Sequence, residues 1–128
     1  RTGRFLYLRN LRPERWPAGD PELYFAVGDF GDVDPSPAKD YILRHRDDAA
    51  VRPFFDLCFG KRPAEELYDL ADDPGQIRNV ADDPAHAADK AALGRRLDAW
   101  MRDTMDPRVD PQYDAWDKYP YYGKAKKR

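Results

Sequence analysis

The segment Glu66-Leu67-Tyr68-Asp69-Leu70, closed by Asp72-Asp73-Pro74-Gly75, constrains the fold more than any other stretch of the chain. Leu67, Tyr68 and Leu70 supply strand burial, and the acidic Pro-Gly tetrapeptide turns the backbone directly after them. Downstream, Asp83-Pro84 opens a helix predicted over about 84 to 103, with a capping carboxylate followed by a proline whose missing N–H is harmless in the first turn. Leu93, Leu97, Trp100, Met101 and Thr104 recur at i, i+4, i+7, i+8 and i+11 and form one stripe of that helix.

The chain has 128 residues, enough for one domain at most. Hydrophobic residues make up 41%, which allows a modest core, and the mean hydropathy of -0.91 makes that core small beside the polar surface. Charged residues reach 36%, yet 22 basic side chains oppose 24 acidic ones, so the net charge of -2 gives no global pull toward nucleic acid or anionic lipid. No run approaches the roughly 18 apolar residues that a membrane span requires. Cys58 is the only cysteine, which excludes a disulfide framework and any paired-cysteine metal knuckle. Residue 1 is Arg, and Arg1-Thr2-Gly3-Arg4-Phe5 reads as the entry to a strand, so the chain is expected to be a fragment or excised domain. The lack of a signal peptide then carries no information about compartment.

Arg4 to Arg9 is short and aromatic and reads as a strand closed by Asn10. Pro13, Pro17, Gly19 and Pro21 mark an ordered loop. Leu23 to Val27 is either a short strand or one helical turn. The turn-rich stretch Gly28 to Pro35 ends in Ser36-Pro37, a helix cap and first-turn proline, which predicts a helix over about 37 to 46 with Tyr41 and Ile42 inward. A second helix is expected over about 48 to 59, its apolar content being Phe54, Phe55, Leu57, Cys58 and Phe59 and its stop Gly60. The tail from Asp106 is aromatic and broken by proline, carrying Trp116, Tyr119, Tyr121 and Tyr122, and is expected to wrap over the body. Lys124 to Arg128 reads as a frayed basic end.

No complete catalytic apparatus stands out. His45, near a helix C-terminus, and His86, in the first turn of the long helix, read as structural and as exposed surface respectively. The pairs Asp47-Asp48, Asp72-Asp73 and Asp82-Asp83 sit at turns or before helices, where capping explains them without a metal. Cys58 lies in an aromatic run and reads as a buried small hydrophobe. The most site-like segment is Gly31 to Lys39, which gathers Asp32, Asp34, Ser36, a helix N-terminus and Lys39. A helix N-terminus beside a cation suits an anion. An ordinary capped helix after an Asp/Gly turn explains the same residues. Asp34, Ser36 and Lys39 are the candidate ligand contacts, with Arg62 second. No catalytic and no metal-binding residue is assigned.

The run Glu66-Leu67-Tyr68-Asp69-Leu70-Ala71-Asp72-Asp73-Pro74-Gly75-Gln76-Ile77-Arg78-Asn79-Val80-Ala81 resembles the ELYDL-x-x-DP-x-E-x-x-NLA signature near the C-terminus of sulfatases, with Gln76 and Val80 as mild departures. Arg1 to Asn10 is similar to the strand that precedes it in that family. Gly60 to Leu67 and the Asp34-Pro35-Ser36-Pro37-Ala38-Lys39 loop resemble the N-sulfoglucosamine sulfohydrolase (sulfamidase) branch. The resemblance implies an α+β fold, a small antiparallel sheet with a packed C-terminal helix and additional short helices, with Leu93, Leu97 and Trp100 facing the sheet. It divides the chain into a C-terminal subdomain over 1–105 and an aromatic, basic tail over 106–128.

The resemblance further implies a partner, an N-terminal catalytic α/β domain upstream of Arg1, with a sulfated sugar as a substrate. That domain would carry calcium and a formylglycine made from Cys or Ser in a C/S-x-P-x-R motif. Cys58-Phe59-Gly60-Lys61-Arg62 has the Cys and Arg of such a motif, but Gly60 stands in the place of proline and the segment lies at the wrong end of the family's chain. The family's habit implies a periplasmic or extracellular location. The rival expectation is a stand-alone binding module for a polyanion or a protein partner.

Overall fold

The computed structural model describes residues 1–24, 28–110, 112–118 and 126–127. Its elements in order are β1 (Phe5–Arg9), β2 (Leu23–Tyr24), α1 (Pro37–Arg44), α2 (Arg52–Cys58), β3 (Glu65–Asp69), α3 (Ala87–Asp103) and β4 (Lys126–Lys127), with 3-10 turns at Pro84–His86, Pro107–Val109 and Ala115–Lys118. The fold is α+β. The chain divides into two compact units, one of residues 1–11 and 63–119, the other of 12–62 and 120–128.

In the first unit β1 and β3 pair antiparallel, with Phe5 opposite Asp69, Tyr7 opposite Leu67 and Arg9 opposite Glu65. These three pairs share one face of the sheet because side chains alternate along a strand. Phe5, Tyr7 and Leu67 form a core with Val80 and Ala81, and Leu93 and Leu97 of α3 pack against it. Met101 and Gly94 are the buried residues of that helix. A Cβ on Gly94 would lie 3.4 Å from Arg9 Nη2 and 3.5 Å from the Tyr7 hydroxyl, so the helix crosses the strand closely at this point. Of the expected stripe, Leu93 and Leu97 face the sheet core and Met101 is buried, whereas Trp100 is 55% exposed. Asp83 caps the helical segment through the Ala85 amide (2.9 Å). His86 is not the exposed surface residue expected from sequence; its ring meets Phe5 edge-on at 5.9 Å.

In the second unit Phe30 is almost fully buried among Trp16, Phe55 and Phe59, with centroid separations of 5.5, 5.9 and 5.1 Å. Ile42 and Leu43 pack against this cluster. Tyr41 instead turns outward and lies over His45, with centroids 4.4 Å apart. The second helix is shorter than expected and starts at Arg52, because Pro53 belongs in a first turn and would clash with a preceding one. Cys58 ends that helix and is exposed rather than buried. Gly60 follows at a point where a Cβ would lie 2.6 Å from the Asp56 carbonyl oxygen, and its N–H closes onto Phe55 O at 3.1 Å. Lys126–Lys127 pairs antiparallel with Leu23–Tyr24, so this part of the basic end is a strand, not frayed chain. Tyr119, Tyr121 and Tyr122 and the Trp116 side chain lie outside the described residues. Among the described residues no helix is long and apolar enough to cross a membrane.

Candidate functional site

All four candidate ligand contacts fall in the second unit. Ser36 has extended backbone and its Oγ accepts from the Lys39 amide at 3.1 Å, an N-cap that satisfies one of the free donors of α1. The Lys39 side chain folds back under the loop and is 8% exposed. Its Nζ donates to Phe30 O at 2.9 Å and to Val33 O at 2.7 Å. An ammonium has three donors, so one remains beyond these two. The contacts pin a turn in which Phe30 takes a positive φ of 52°, a conformation uncommon for an aromatic residue and held here by the surrounding rings. Lys39 therefore shapes the loop that presents Asp34, which is exposed. Arg62 is anchored at the other helix, with Nη2 donating to Leu57 O at 2.8 Å. The loop thus offers an exposed carboxylate at Asp34 and the Ser36 hydroxyl proton. Arg62 adds its remaining guanidinium donors.

The polar residues of the Glu66–Ala81 run are occupied with the fold. Asn79 Oδ1 accepts from the amides of Leu67 (2.9 Å) and Ala81 (3.0 Å), its Nδ2 donates to Glu65 O (3.3 Å), and Val80 N–H reaches Leu67 O (2.8 Å). Asn79 thereby clamps the returning chain to the free edge of β3. Asp73 Oδ2 accepts from the Ile77 and Arg78 amides at 2.8 and 2.7 Å and closes the turn. Glu66 is buried and accepts from Asn10 Nδ2 (2.8 Å) and from the Tyr68 hydroxyl (2.5 Å). Asp69 is gripped by the Arg4 guanidinium through Nε (3.0 Å) and Nη2 (2.6 Å), which together with the Ala71 amide holds its carboxyl below the usual range against the opposing effect of burial.

A second polar group links β1, β3 and α3. The Tyr7 hydroxyl donates to Glu65, and Lys90 Nζ lies 3.6 Å from the same carboxylate. Tyr7 holds the Glu65 carboxyl low, while burial, followed by that carboxylate, pushes the Tyr7 phenol up. Arg9 Nη1 meets Asp98 Oδ1 at 2.5 Å. None of these charges was singled out from the sequence, because their partners lie tens of residues away. Beside them, Leu93, Leu97 and Trp100 floor a surface cavity of about 220 Å³ flanked by Arg1 and Arg96. Among the described residues no three His, Cys, Asp or Glu side chains are grouped to hold a metal ion.

The chain is similar to part of a sulfatase. It is 27% identical over 123 residues to an ulvan-active sulfatase of Formosa agariphila, and the alignment takes in 92% of this chain but only 18% of that protein. No family model matches the chain. No solved structure matches it either. The likeness supports a fragment of a sulfatase and no particular branch of the family. It extends across both units, and therefore across the loop as well as the Asn79 clamp.

Proposed function

We propose that the chain is the C-terminal accessory subdomain of a sulfatase, resembling the sulfamidase branch, that completes the fold of a hydrolase of sulfate esters or N-sulfo groups on sulfated sugars. The observation that carries this reading is the alignment of 92% of the chain with 18% of a sulfatase. The occupancy of Glu66, Asp69, Asp73 and Asn79 by structural hydrogen bonds supports a scaffolding role for the signature. The catalytic α/β domain, its formylglycine and its calcium belong upstream of Arg1 on this reading, and the location is periplasmic or extracellular.

The loop of Asp34, Ser36 and Lys39, with Arg62, edges the substrate cleft. Asp34 and Ser36 hydrogen-bond sugar hydroxyls, and Arg62 pairs with a sulfate or carboxylate through its planar fork. Lys39 positions the loop and contributes its remaining N–H. The test is a comparison, in the longer polypeptide, of the parent with Asp34→Ala and Arg62→Ala on sulfated substrates. Ulvan, the substrate in the relative's name, is the first to try. A raised KM or lowered kcat supports the cleft-edge role. Unchanged kcat/KM in both variants removes it. Absence of any sulfatase activity in the parent polypeptide removes the larger reading and favours the stand-alone binding module.

A further inference from the structure

Lys61 and Arg62 are consecutive cations that follow α2 in the second unit. The chain leading into them is fixed at Gly60, whose N–H closes onto Phe55 O at 3.1 Å and where a Cβ would lie 2.6 Å from the Asp56 carbonyl oxygen. Each cationic side chain is then held by an uncharged group. The Lys61 ammonium lies 4.9 Å from the centroid of the Trp16 ring. A cation over an indole face is attracted by the ring quadrupole. Trp16 is itself half-buried and meets Phe30 edge-on at 5.5 Å. Arg62 Nη2 donates to Leu57 O, in the last turn of α2, at 2.8 Å.

Neither cation is neutralised. Among the described residues no carboxylate pairs with Lys61 or Arg62. The carboxylate of α2, Asp56, is engaged by Arg52 at 2.8 Å. A cation ordered by a ring or a carbonyl has already lost part of its side-chain freedom while keeping its charge, and that preorganisation favours capture of an anion. The two residues differ in what they offer. The planar fork of Arg62 suits two oxygens of one anionic group, whereas Lys61 is a point charge. The loop that carries Phe30 is acidic at Asp32 and Asp34, so an anion is met at Lys61 and Arg62 and not along the loop.

We propose that Lys61, held in place by Trp16, is a specificity-determining contact for a second anionic group of the substrate, beside the one that pairs with Arg62. The proposal rests on the cleft-edge reading above, and it narrows the substrate to a sugar chain with at least two anionic groups. The test is titration calorimetry of the longer polypeptide with ulvan oligosaccharides and, separately, with heparin oligosaccharides. Lys61→Met removes the charge and keeps an unbranched stem against the Trp16 ring, so the variant folds. It is expected to weaken binding about fivefold, the upper end for one exposed charge pair. Lys61→Arg keeps both charge and stacking and is expected to stay within about twofold of the parent. Arg46→Met removes another exposed cation of the same unit and is expected to leave the affinity unchanged. The losses in Lys61→Met and Arg62→Ala are expected to add in the double variant, because the two cations hold different anionic groups.

Unchanged affinity in Lys61→Met with a loss in Arg62→Ala overturns the proposal while leaving the cleft-edge reading in place. A double variant no weaker than the worse single variant means that both cations hold one anionic group, which also overturns it. Equal losses in Lys61→Met and Arg46→Met overturn it in favour of diffuse attraction. Unchanged affinity in both Lys61→Met and Arg62→Ala, or no binding of either oligosaccharide by the parent, overturns the proposal together with the reading on which it rests.

Discussion

Replacing Asn79 with Ala removes the acceptor for the Leu67 and Ala81 amides and the donor to Glu65 O. Leu67 is 0% exposed, so its orphaned N–H has little access to water. A net hydrogen bond is worth about 1 kcal/mol, and leaving a buried donor unpaired adds to that loss. Asn79 itself is exposed, which lets water enter partway and limits the damage. The expected destabilisation is about 2–3 kcal/mol. With a urea slope of about 1–2 kcal/mol/M for a chain of this size, the midpoint falls by about 1–3 M. Asn79→Asp keeps an acceptor for both amides and loses only the long bond to Glu65 O, so it costs roughly 1 kcal/mol or less.

Hydrogen exchange at the Leu67 and Ala81 amides reads the same clamp locally, which matters in a chain with two compact units. Both amides should lose protection in Asn79→Ala and largely keep it in Asn79→Asp. If the Ala variant unfolds within about 0.5 kcal/mol of the parent, or if Ala and Asp behave alike, the clamp does not hold β3.

Gly94→Ala should stabilise the chain by about 0.5–1 kcal/mol in thermal or urea unfolding, since a Cβ there meets only ordinary contacts and helical glycine is costly. Gly60→Ala should destabilise it by more than about 1 kcal/mol in the same assay, because its Cβ would press on the Asp56 carbonyl. Ser36→Ala should cost about 1 kcal/mol through loss of the α1 cap, and Ser36→Asp should restore most of it; equal stability of the two variants would refute the cap. The Asp106 carboxyl is pushed down to about 2 from 3.8 by the Arg108 side chain and then by the Arg108 amide. Because the folded value is the lower one, this pair's contribution is full above the unfolded value of 3.8 and is lost as pH falls toward about 2. NMR titration of the carboxyl carbon should show that low midpoint, and Arg108→Ala should return it toward 3.8.

What was legible in the sequence was local. The Ser36 cap, the Asp83 cap, the Asp73 turn and the Gly60 stop each involve residues within a few positions of one another. So was the likeness of β3 and its turn to a sulfatase segment, and the structure adds why Asn79 stands there. The orientation of α3 was legible in part, since Leu93 and Leu97 pack on the sheet core as their spacing suggested. Its closest approach to the sheet runs through Gly94, which has no side chain to register as apolar, while Trp100 registers strongly and lies outside. The start of α2 was misplaced because the apolar residues of 48–59 outweighed Pro53. At the candidate site, the types of Ser36 and Lys39 suggested a ligand, but spacing could not reveal that the Phe30 and Val33 carbonyls turn toward the Lys39 ammonium. The Tyr7–Glu65–Lys90 group was invisible because it is assembled across the sheet and helix.

On the proposed reading, residues 1–128 hold and present a catalytic centre whose chemistry lies upstream of Arg1. Tryptic mass spectrometry of the purified, longer polypeptide tests it most directly. The expected result is a peptide N-terminal to Arg1 carrying formylglycine in place of the Cys or Ser of a C/S-x-P-x-R motif. A polypeptide that hydrolyses sulfate esters without such a peptide, or one in which no sequence of that kind precedes Arg1, would contradict it.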